Sequence, residues 1–262
     1  MKSFNFKSAS NAKEAAKLVS SGRATFLAGG MTLLPAIKLR LAAYSDLINI
    51  KKIKGLSGIK VSSKSLRIGA TTTHAEVAAS KEVGKSIPSL AVLAEGIGDP
   101  QVRNRGTIGG SIANNDPAAD YPSACLALNA TIHTSKRKIP ADKFFKGMFE
   151  TDLKKGELIE GVEFEVPEKS SYAKFPNPAS RYAIVGVYVA KLKKEIRVAV
   201  TGVGSFVFRC KKLEDVLSSN FSPSTIDNVT ISSKGFNSDI HASAEYRAHI
   251  IKVMAKKAVS SC

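Results

Sequence analysis

The sequence contains no tryptophan, and only three cysteines and four histidines occur among its 262 residues. Cys125, Cys210 and Cys262 are too few and too widely spaced for a disulfide framework or a CxxC metal site. An iron–sulfur cluster needs about four thiolate ligands, so the chain cannot hold one by itself. The pattern is typical of unpaired thiols in a reducing cytoplasm.

Long apolar runs are also missing. The longest, Ile184 to Ala190, is far shorter than the roughly 18 residues that a membrane-spanning helix needs. Residues 1–7 contain no apolar core leading to a cleavage site. Hydrophobic residues make up 44% of the chain and charged residues 23%, which is ordinary for a folded soluble protein. We therefore expect a cytoplasmic protein rather than a membrane or secreted one.

Acidic residues are scarce, with 22 Asp and Glu against 39 Lys and Arg, a net charge of +17. The excess lies at both ends: residues 1–57 carry +8, residues 58–166 carry +1 and residues 167–262 carry +8. The basic residues are spread out and lack the interleaved aromatics of a nucleic-acid site. We expect no nucleic-acid partner, and favour an acidic protein partner or an anionic cofactor.

The same three segments define the predicted organisation. Residues 1–57 alternate strands and helices and form a small α/β unit. Residues 58–166 contain strands and helices around a segment rich in Gly, Asn, Asp and Pro. Residues 167–178 have the composition of a linker, and the rest of 167–262 forms a third unit of two long strands followed by helices. The last predicted helix, residues 242–259, has one packed face. Its residues are Ala244, His249, Ile250, Val253 and Ala258.

A glycine turn between a predicted strand and a predicted helix is the first candidate site. It consists of Ala28, Gly29, Gly30, Met31, Thr32 and Leu33. Glycines let a ligand approach the backbone closely, and the N–H groups at a helix start favour a phosphate. The turn lacks both GxGxxG and the lysine of a P-loop. Its glycines therefore indicate either a diphosphate cradle or a plain tight turn.

The second candidate segment runs from Ile97 to Pro122. Segments of this length without regular pattern are usually functional or disordered, and its Ile and Val residues argue against disorder. Backbone amides and a hydroxyl are offered by Gly109-Gly110-Ser111, while Asp116 and Asp120 offer acceptors for ribose or ribityl hydroxyls. Two such segments on different units predict a long cofactor whose diphosphate lies between subdomains.

Residues 97–122 resemble the flavin-binding signature of the FAD-carrying medium subunit of molybdenum hydroxylases. This family includes carbon monoxide dehydrogenase, xanthine dehydrogenase and archaeal aldehyde oxidoreductases. The similarity covers essentially the whole chain in order. Further matching segments are residues 28–35, 38–40, 69–74, 156–159, 180–187 and 242–247.

The resemblance implies an α+β chain with the PCMH-type (vanillyl-alcohol-oxidase-like) fold, in which two α/β subdomains hold FAD and a C-terminal α/β domain covers part of it. It implies that main-chain amides from Ala28 to Leu33 hold the diphosphate, Met31 by its backbone alone. The same role is implied around Thr107, Gly109, Gly110 and Ser111. Ile97 and Leu33 would lie near the isoalloxazine, with Tyr182 or Tyr188 against it. Polar parts of FAD would be reached by Asn114, Asn115, Asp116 and Asp120.

The function implied by the resemblance is electron transfer within a heterotrimer. A large molybdopterin subunit would oxidise an aldehyde or similar substrate, and a small [2Fe–2S] subunit would pass the electrons to FAD in this chain. A dimer of heterotrimers would be the assembly. The chain itself would hold no metal and no catalytic residue, and His74, after the Thr71–Thr73 cap, would be structural. The alternatives are a stand-alone FAD-dependent oxidoreductase and a non-enzymatic basic binding module, which leaves the Gly-Gly-Ser segment unexplained.

Overall fold

The computed structural model describes residues 2–20 and 22–262. The first sheet is parallel, in the order β1-β3-β2, and belongs to the N-terminal segment. Its strands and helices are β1 (Asn5–Ser8), α1 (Ala12–Ser20), β2 (Ala24–Leu27), α2 (Leu33–Lys38) and β3 (Asp46–Asn49). The predicted strand–helix alternation is confirmed here. Because the strands are parallel, the turns that follow β1, β2 and β3 lie at one edge of the sheet.

The second sheet is antiparallel and five-stranded, in the order β4-β5-β10-β6-β7. Its strands are β4 (Ile59–Val61), β5 (Ser65–Gly69), β6 (Thr131–Thr134), β7 (Lys138–Pro140) and β10 (Ile159–Glu165). A short hairpin joins β8 (Phe145–Gly147) to β9 (Glu150–Thr151). The helices of this segment are α3 (His74–Ala79), α4 (Lys81–Ser86), α5 (Pro88–Glu95), α6 (Pro100–Arg105), α7 (Ile108–Asn114), α8 (Tyr121–Ala127) and α9 (Ala141–Phe144).

The third sheet is antiparallel, in the order β11-β12-β13-β14. Its strands are β11 (Lys169–Pro176), β12 (Ala183–Lys191), β13 (Ile196–Thr201) and β14 (Phe208–Arg209). Two helices, α10 (Lys211–Ser219) and α11 (Ala244–Ser260), pack on it, with a 3₁₀ turn at Pro223–Ile226. Both faces of β12 are buried, as its continuous apolar run predicts. One face packs on helices of the second segment and the other on α11.

The predicted linker at residues 167–178 is wrong, because most of it is strand β11. β11 pairs with β12 along its whole length, and Ser171 and Ala173 point into the core. The linker is predicted because prolines are typical of loops. Pro176 is instead the last residue of an edge strand, where the missing N–H breaks no sheet hydrogen bond.

The packed face predicted for the last helix is only partly correct. Ile250 and Ala258 are buried as expected, but His249 and Val253 are exposed. The core instead uses neighbouring positions of α11, namely Ile251, Met254, Ala255 and Val259. The buried face of α11 therefore consists of pairs of adjacent residues that recur every four positions, and it excludes the predicted positions 249 and 253.

Candidate functional site

The two glycine-containing segments of the sequence meet directly in the fold. Gly29 follows β2 of the first sheet and packs on the backbone between α6 and α7. A Cβ added at Gly29 would overlap the carbonyl oxygen of Arg105 and would lie 2.8 Å from Cα of Gly106. Only glycine permits this approach. The first and second subdomains therefore join at these two segments.

The turn before α2 presents a run of unpaired backbone donors. Within residues 2–20 and 22–262, the amides of Gly29, Gly30, Met31, Thr32 and Leu33 have no hydrogen-bond acceptor. Gly30 has φ +78°, a left-handed conformation that curls the chain around these donors. Successive N–H groups in such a turn form a concave anion site. The turn therefore offers five backbone donors to a diphosphate.

The start of α7, which faces this turn, is built differently from the expectation. Gly109 N donates to Ala70 O at 2.9 Å, Gly110 N to the cap oxygen Thr107 Oγ1 at 3.2 Å, and Ser111 N to Thr107 O at 3.0 Å. The amides of Gly109, Gly110 and Ser111 are thus already used inside the chain. What remains for an anion on this side, among the described residues, is Thr107 N and the Ser111 hydroxyl.

The glycines at positions 109 and 110 matter because they lack a side chain, since their amides are already hydrogen-bonded within the chain. A Cβ at Gly109 would lie 2.6 Å from the Ala70 Cβ, so Gly109 lets α7 pack on the end of β5. A Cβ at Gly110 would meet only Thr107 Oγ1, at 3.0 Å, and Gly110 is exposed. Gly110 therefore borders open surface at the start of α7.

The asparagines at the end of α7 separate into two roles. Asn114 is half-buried, and its side chain has no hydrogen-bond partner in the described part of the chain, so it is free to meet a ligand. Asn115 is fully buried, and its Nδ2 donates to Gly147 O at 2.7 Å and Glu150 O at 2.8 Å. The amide nitrogen of Asn115 therefore binds the β8–β9 hairpin and is not free for the cofactor, in contrast to the expectation.

The segment that carries Asp116 and Asp120 is held by the third sheet. Thr201 Oγ1 donates to Pro117 O at 2.9 Å and to Ala119 O at 2.8 Å. Gly202 N donates to Pro117 O at 2.8 Å as well. The C-terminal unit is thus part of the site. Asp116 is half-buried, its Oδ1 accepts from Ala118 N at 2.9 Å, and burial raises the pKa of its carboxyl.

Asp120 has partners that the sequence analysis did not assign. Its Oδ1 accepts from Tyr172 Oη at 2.5 Å and pairs with Lys174 Nζ at 3.0 Å. Burial raises the pKa of this carboxyl, and the Lys174 ammonium opposes that rise. Asp120 is only 5% exposed, and the engaged Oδ1 is not free for a cofactor hydroxyl. Tyr172 and Lys174 lie two residues apart on one face of β11, a signal hidden by the linker interpretation.

The apolar and aromatic candidates are also placed. Ile97 and Leu33 are both half-buried. Tyr188 is fully buried, with its hydroxyl 2.6 Å from Ser89 Oγ, so it belongs to the core. Tyr182 is 44% exposed, and its pKa is raised by partial burial and then by the charges of Asp116 and Asp120. Of the two tyrosines, Tyr182 is therefore the one accessible beside these carboxylates.

His74 packs inside the second subdomain, as the sequence analysis predicts. It begins α3, its ring lies 5.4 Å from that of Tyr121, and burial followed by the charge of Arg103 lowers its pKa to about 4. Among the described residues, no group of three or more His, Cys, Asp or Glu side chains is arranged to hold a metal ion. No helix in the described ranges is long and apolar enough to cross a membrane.

Comparison with known proteins agrees with this geometry. Residues 2–168 match the FAD binding domain in molybdopterin dehydrogenase, and residues 170–262 match the CO dehydrogenase flavoprotein C-terminal domain. The chain is 35% identical to the glyceraldehyde dehydrogenase medium chain of Sulfolobus acidocaldarius, covering 97% of this chain and 96% of the relative. It is 32% identical to the 6-hydroxypseudooxynicotine dehydrogenase complex subunit alpha of Paenarthrobacter nicotinovorans, covering 98% and 94%.

Among solved structures, CO dehydrogenase from Oligotropha carboxidovorans matches with a TM-score of 0.92 and 27% identity, covering 99% of this chain and 97% of that one. The fold and the site thus define the FAD-binding fold of the CO dehydrogenase medium subunit. The chain belongs to the molybdenum hydroxylase family, as its FAD-binding medium subunit, and is therefore part of an oxidoreductase.

Proposed function

We propose that this chain is the electron-exit subunit of a heterotrimeric molybdenum hydroxylase. In this function it takes electrons from [2Fe–2S] clusters of a small partner subunit and passes them to an external acceptor. The oxidation of an aldehyde or similar substrate would occur in a large molybdopterin subunit. The observation that carries the proposal is the row of five unpaired amides, from Gly29 to Leu33, next to the backbone contact of Gly29 with Arg105 and Gly106.

FAD supplies the chemistry of this function, because its ring accepts and releases electrons singly or in pairs. The chain's own residues bind and orient the cofactor. The Gly29–Leu33 amides hold the diphosphate, together with Thr107 N and the Ser111 hydroxyl. Leu33, Ile97 and Tyr182 border the isoalloxazine. Asn114, Asp116 and the Oδ2 atom of Asp120 would face its polar parts, and the Ala28 amide would join the diphosphate donors. Gly109 keeps α7 close to the end of β5.

The partners follow from the chain's composition and relatives. A [2Fe–2S] cluster takes about four ligands, and the chain has three dispersed cysteines, so the clusters belong to another polypeptide. The relatives are a medium chain and a complex subunit by name. A dimer of heterotrimers in the cytoplasm is the assembly that we propose, and the free thiols of Cys125 and Cys210 favour that compartment.

The first test is a visible absorption spectrum of the purified chain before and after added FAD, followed by acid precipitation. We expect a yellow protein that releases FAD into the supernatant. Flavin that stays in the precipitate would contradict the non-covalent site. A chain that remains colourless with added FAD, both alone and in the complex isolated from its native source, would overturn the proposal.

The partner claim is tested by affinity capture of the tagged chain from its native source, with metal analysis of the captured material. Molybdenum and iron should co-purify with the chain in a constant ratio to flavin. Capture of a flavin-loaded chain without either metal would favour a stand-alone FAD-dependent oxidoreductase instead.

A further inference from the structure

The Lys174 ammonium joins three separate segments at the border of the candidate flavin site. It donates to Gly96 O at 2.8 Å and to Arg181 O at 3.0 Å, and it pairs with Asp120 Oδ1 at 3.0 Å. An ammonium has three N–H donors, so all of them are used. The side chain is only 11% exposed, and a buried ammonium is tolerated only when it is paired in this way.

The turn at Gly96–Gly98 receives two further cations. Arg103 Nη1 donates to Ile97 O and to Gly98 O, both at 3.1 Å, and Arg181 Nη1 donates to Gly98 O at 3.1 Å. Gly98 itself has φ +51°, so the turn has a conformation that other residues rarely adopt. Three cations from two subdomains thus hold the carbonyls of the turn that presents Ile97.

The same network reaches the other side of the site. Arg181, with φ +62°, precedes Tyr182 directly, so the hydrogen bond from Lys174 to Arg181 O fixes the backbone next to that tyrosine. Tyr172 adds a second donor to Asp120 Oδ1, and the glycine at position 186 leaves room for the Tyr172 hydroxyl. One side chain of the third sheet, Lys174, therefore links the three segments that carry Ile97, Asp120 and Tyr182.

We propose that Lys174 is a positioning residue for the flavin, which sets Ile97, Asp120 and Tyr182 around the ring by its three hydrogen bonds. This inference rests on the proposed function, since it takes those residues as the flavin's neighbours. A purely structural ion pair would stabilise the fold without affecting the bound flavin. A positioning residue must also alter the flavin's affinity and its optical signature.

The test is Lys174→Met, which keeps the length of the side chain and removes its charge and donors. We expect FAD affinity to fall by about tenfold or more, since a hydrogen bond to a charged group is lost at each of three sites. The visible circular dichroism of the remaining bound flavin should change as well. Lys191→Met is the matched control, because Lys191 lies on the neighbouring strand in an exposed pair with Glu168.

Two further variants keep the proposal falsifiable if Lys174→Met folds poorly. Arg181→Asn removes one donor to Gly98 O while tolerating the left-handed backbone, and should shift the flavin circular dichroism in the same direction. Lys174→Arg keeps the positive charge beside Asp120, but a planar guanidinium cannot reproduce the donor positions of the ammonium. If Lys174 only neutralised Asp120, this variant would keep the wild-type spectrum, whereas positioning predicts that it will not.

The outcomes separate the two claims. A wild-type chain and complex without FAD would overturn the proposed function and this inference together. Wild-type FAD binding with unchanged affinity and circular dichroism in Lys174→Met and Arg181→Asn, or a wild-type spectrum in Lys174→Arg, would overturn the inference alone.

Discussion

At the scale of single residues, the glycines of the candidate site have different structural roles, which the sequence alone does not distinguish. Gly29 allows two backbones to touch, Gly30 has a left-handed φ, and Gly109 makes room for Ala70. Gly110 alone borders open space. A side chain at Gly110 therefore interferes with a bound anion more than with the fold.

Gly110→Val should abolish or strongly reduce FAD binding, because its branched side chain would fill the open space at the start of α7, which the proposed function assigns to the diphosphate. Gly84→Val is the matched control, since Gly84 is also an exposed helical glycine with nothing near its Cβ position. Flavin content after reconstitution, at equal folded protein, is the measurement. Full flavin in a folded Gly110→Val protein would show that the diphosphate lies elsewhere.

The buried imidazole of His74 predicts a pH dependence of stability. Its folded pKa of about 4 lies below the unfolded value of 6.5. The unfolded chain therefore takes up a proton first as the pH falls, and the stabilisation present above pH 6.5 is lost toward pH 4. The loss amounts to about 3 kcal/mol.

Urea unfolding at several pH values measures this effect, with His74→Phe as the comparison because a phenyl ring can pack on Tyr121 without titrating. The slope of the unfolding free energy against pH reports the number of protons taken up on unfolding. Between pH 6.5 and 4 that number should be smaller by up to one in the variant. An identical slope in both proteins would assign the acid sensitivity to other groups.

At the scale of elements, α7 connects the site to the β8–β9 hairpin through Asn115. This residue ends α7 with φ +45°, which asparagine tolerates better than most residues. Its side chain holds two carbonyls of the hairpin, and Phe149 N donates to Asn115 O at 3.1 Å. The hairpin's position therefore follows the end of the helix that begins at the candidate diphosphate site.

Asn115→Ala should lower the unfolding free energy by about 2–4 kcal/mol, from backbone strain and from two partly buried carbonyls left without their donor. Asn129→Ala is the matched control, because Asn129 has φ +48° but is exposed, and its side chain makes one exposed hydrogen bond, to Glu165 Oε2 at 3.1 Å. The difference between the two variants in chemical denaturation reports the hydrogen bonds of Asn115. Equal losses would mean that only the backbone conformation matters.

At the scale of the whole molecule, the third sheet completes the site rather than merely following it. Thr201 and Gly202 hold the carbonyls of the segment that carries Asp116 and Asp120, and Lys174 reaches across from β11. The segment that carries these two carboxylates is thus held in place by the third sheet.

Thr201→Val conserves the shape of the side chain but removes the donor to Pro117 O and Ala119 O. We expect FAD affinity to fall roughly tenfold, as the loss of about one to two neutral hydrogen bonds would suggest. Isothermal titration with FAD measures this, and Thr131→Val serves as the control because its hydroxyl makes no hydrogen bond in the described ranges. An unchanged affinity would show that the Asp116–Asp120 segment keeps its position without Thr201.

The charge distribution predicts how the whole chain associates. Residues 1–57 and residues 167–262 each carry a net charge of +8, and residues 58–166 carry +1. If these ends dock on partner subunits, association should weaken with salt, because the Debye length shrinks from about 10 Å at 0.1 M to about 3 Å at 1 M. Binding of the isolated partners at increasing salt checks this, and an affinity independent of salt would contradict electrostatic docking.

Much of the fold could be read from local pattern. The first parallel unit, the two long strands of the third unit and the cap at Thr73 depend on residues close in sequence, so their signals are complete within short windows. The motif at residues 97–122 and its similarity to a known family indicated the FAD site. Local pattern failed at β11 and at α6 and α7, where proline, glycine and asparagine are typical of loops.

The sequence by itself determined the cofactor class, the family and the glycines that a close backbone approach demands. Only the tertiary structure decided which donors stay free. The amides of Gly109, Gly110 and Ser111 find acceptors on Ala70 and Thr107, and Asp120 is paired with Lys174, 54 positions further along the chain. Hydrogen-bond partners from distant segments leave no periodic trace in a sequence, because they are chosen by how the sheets pack.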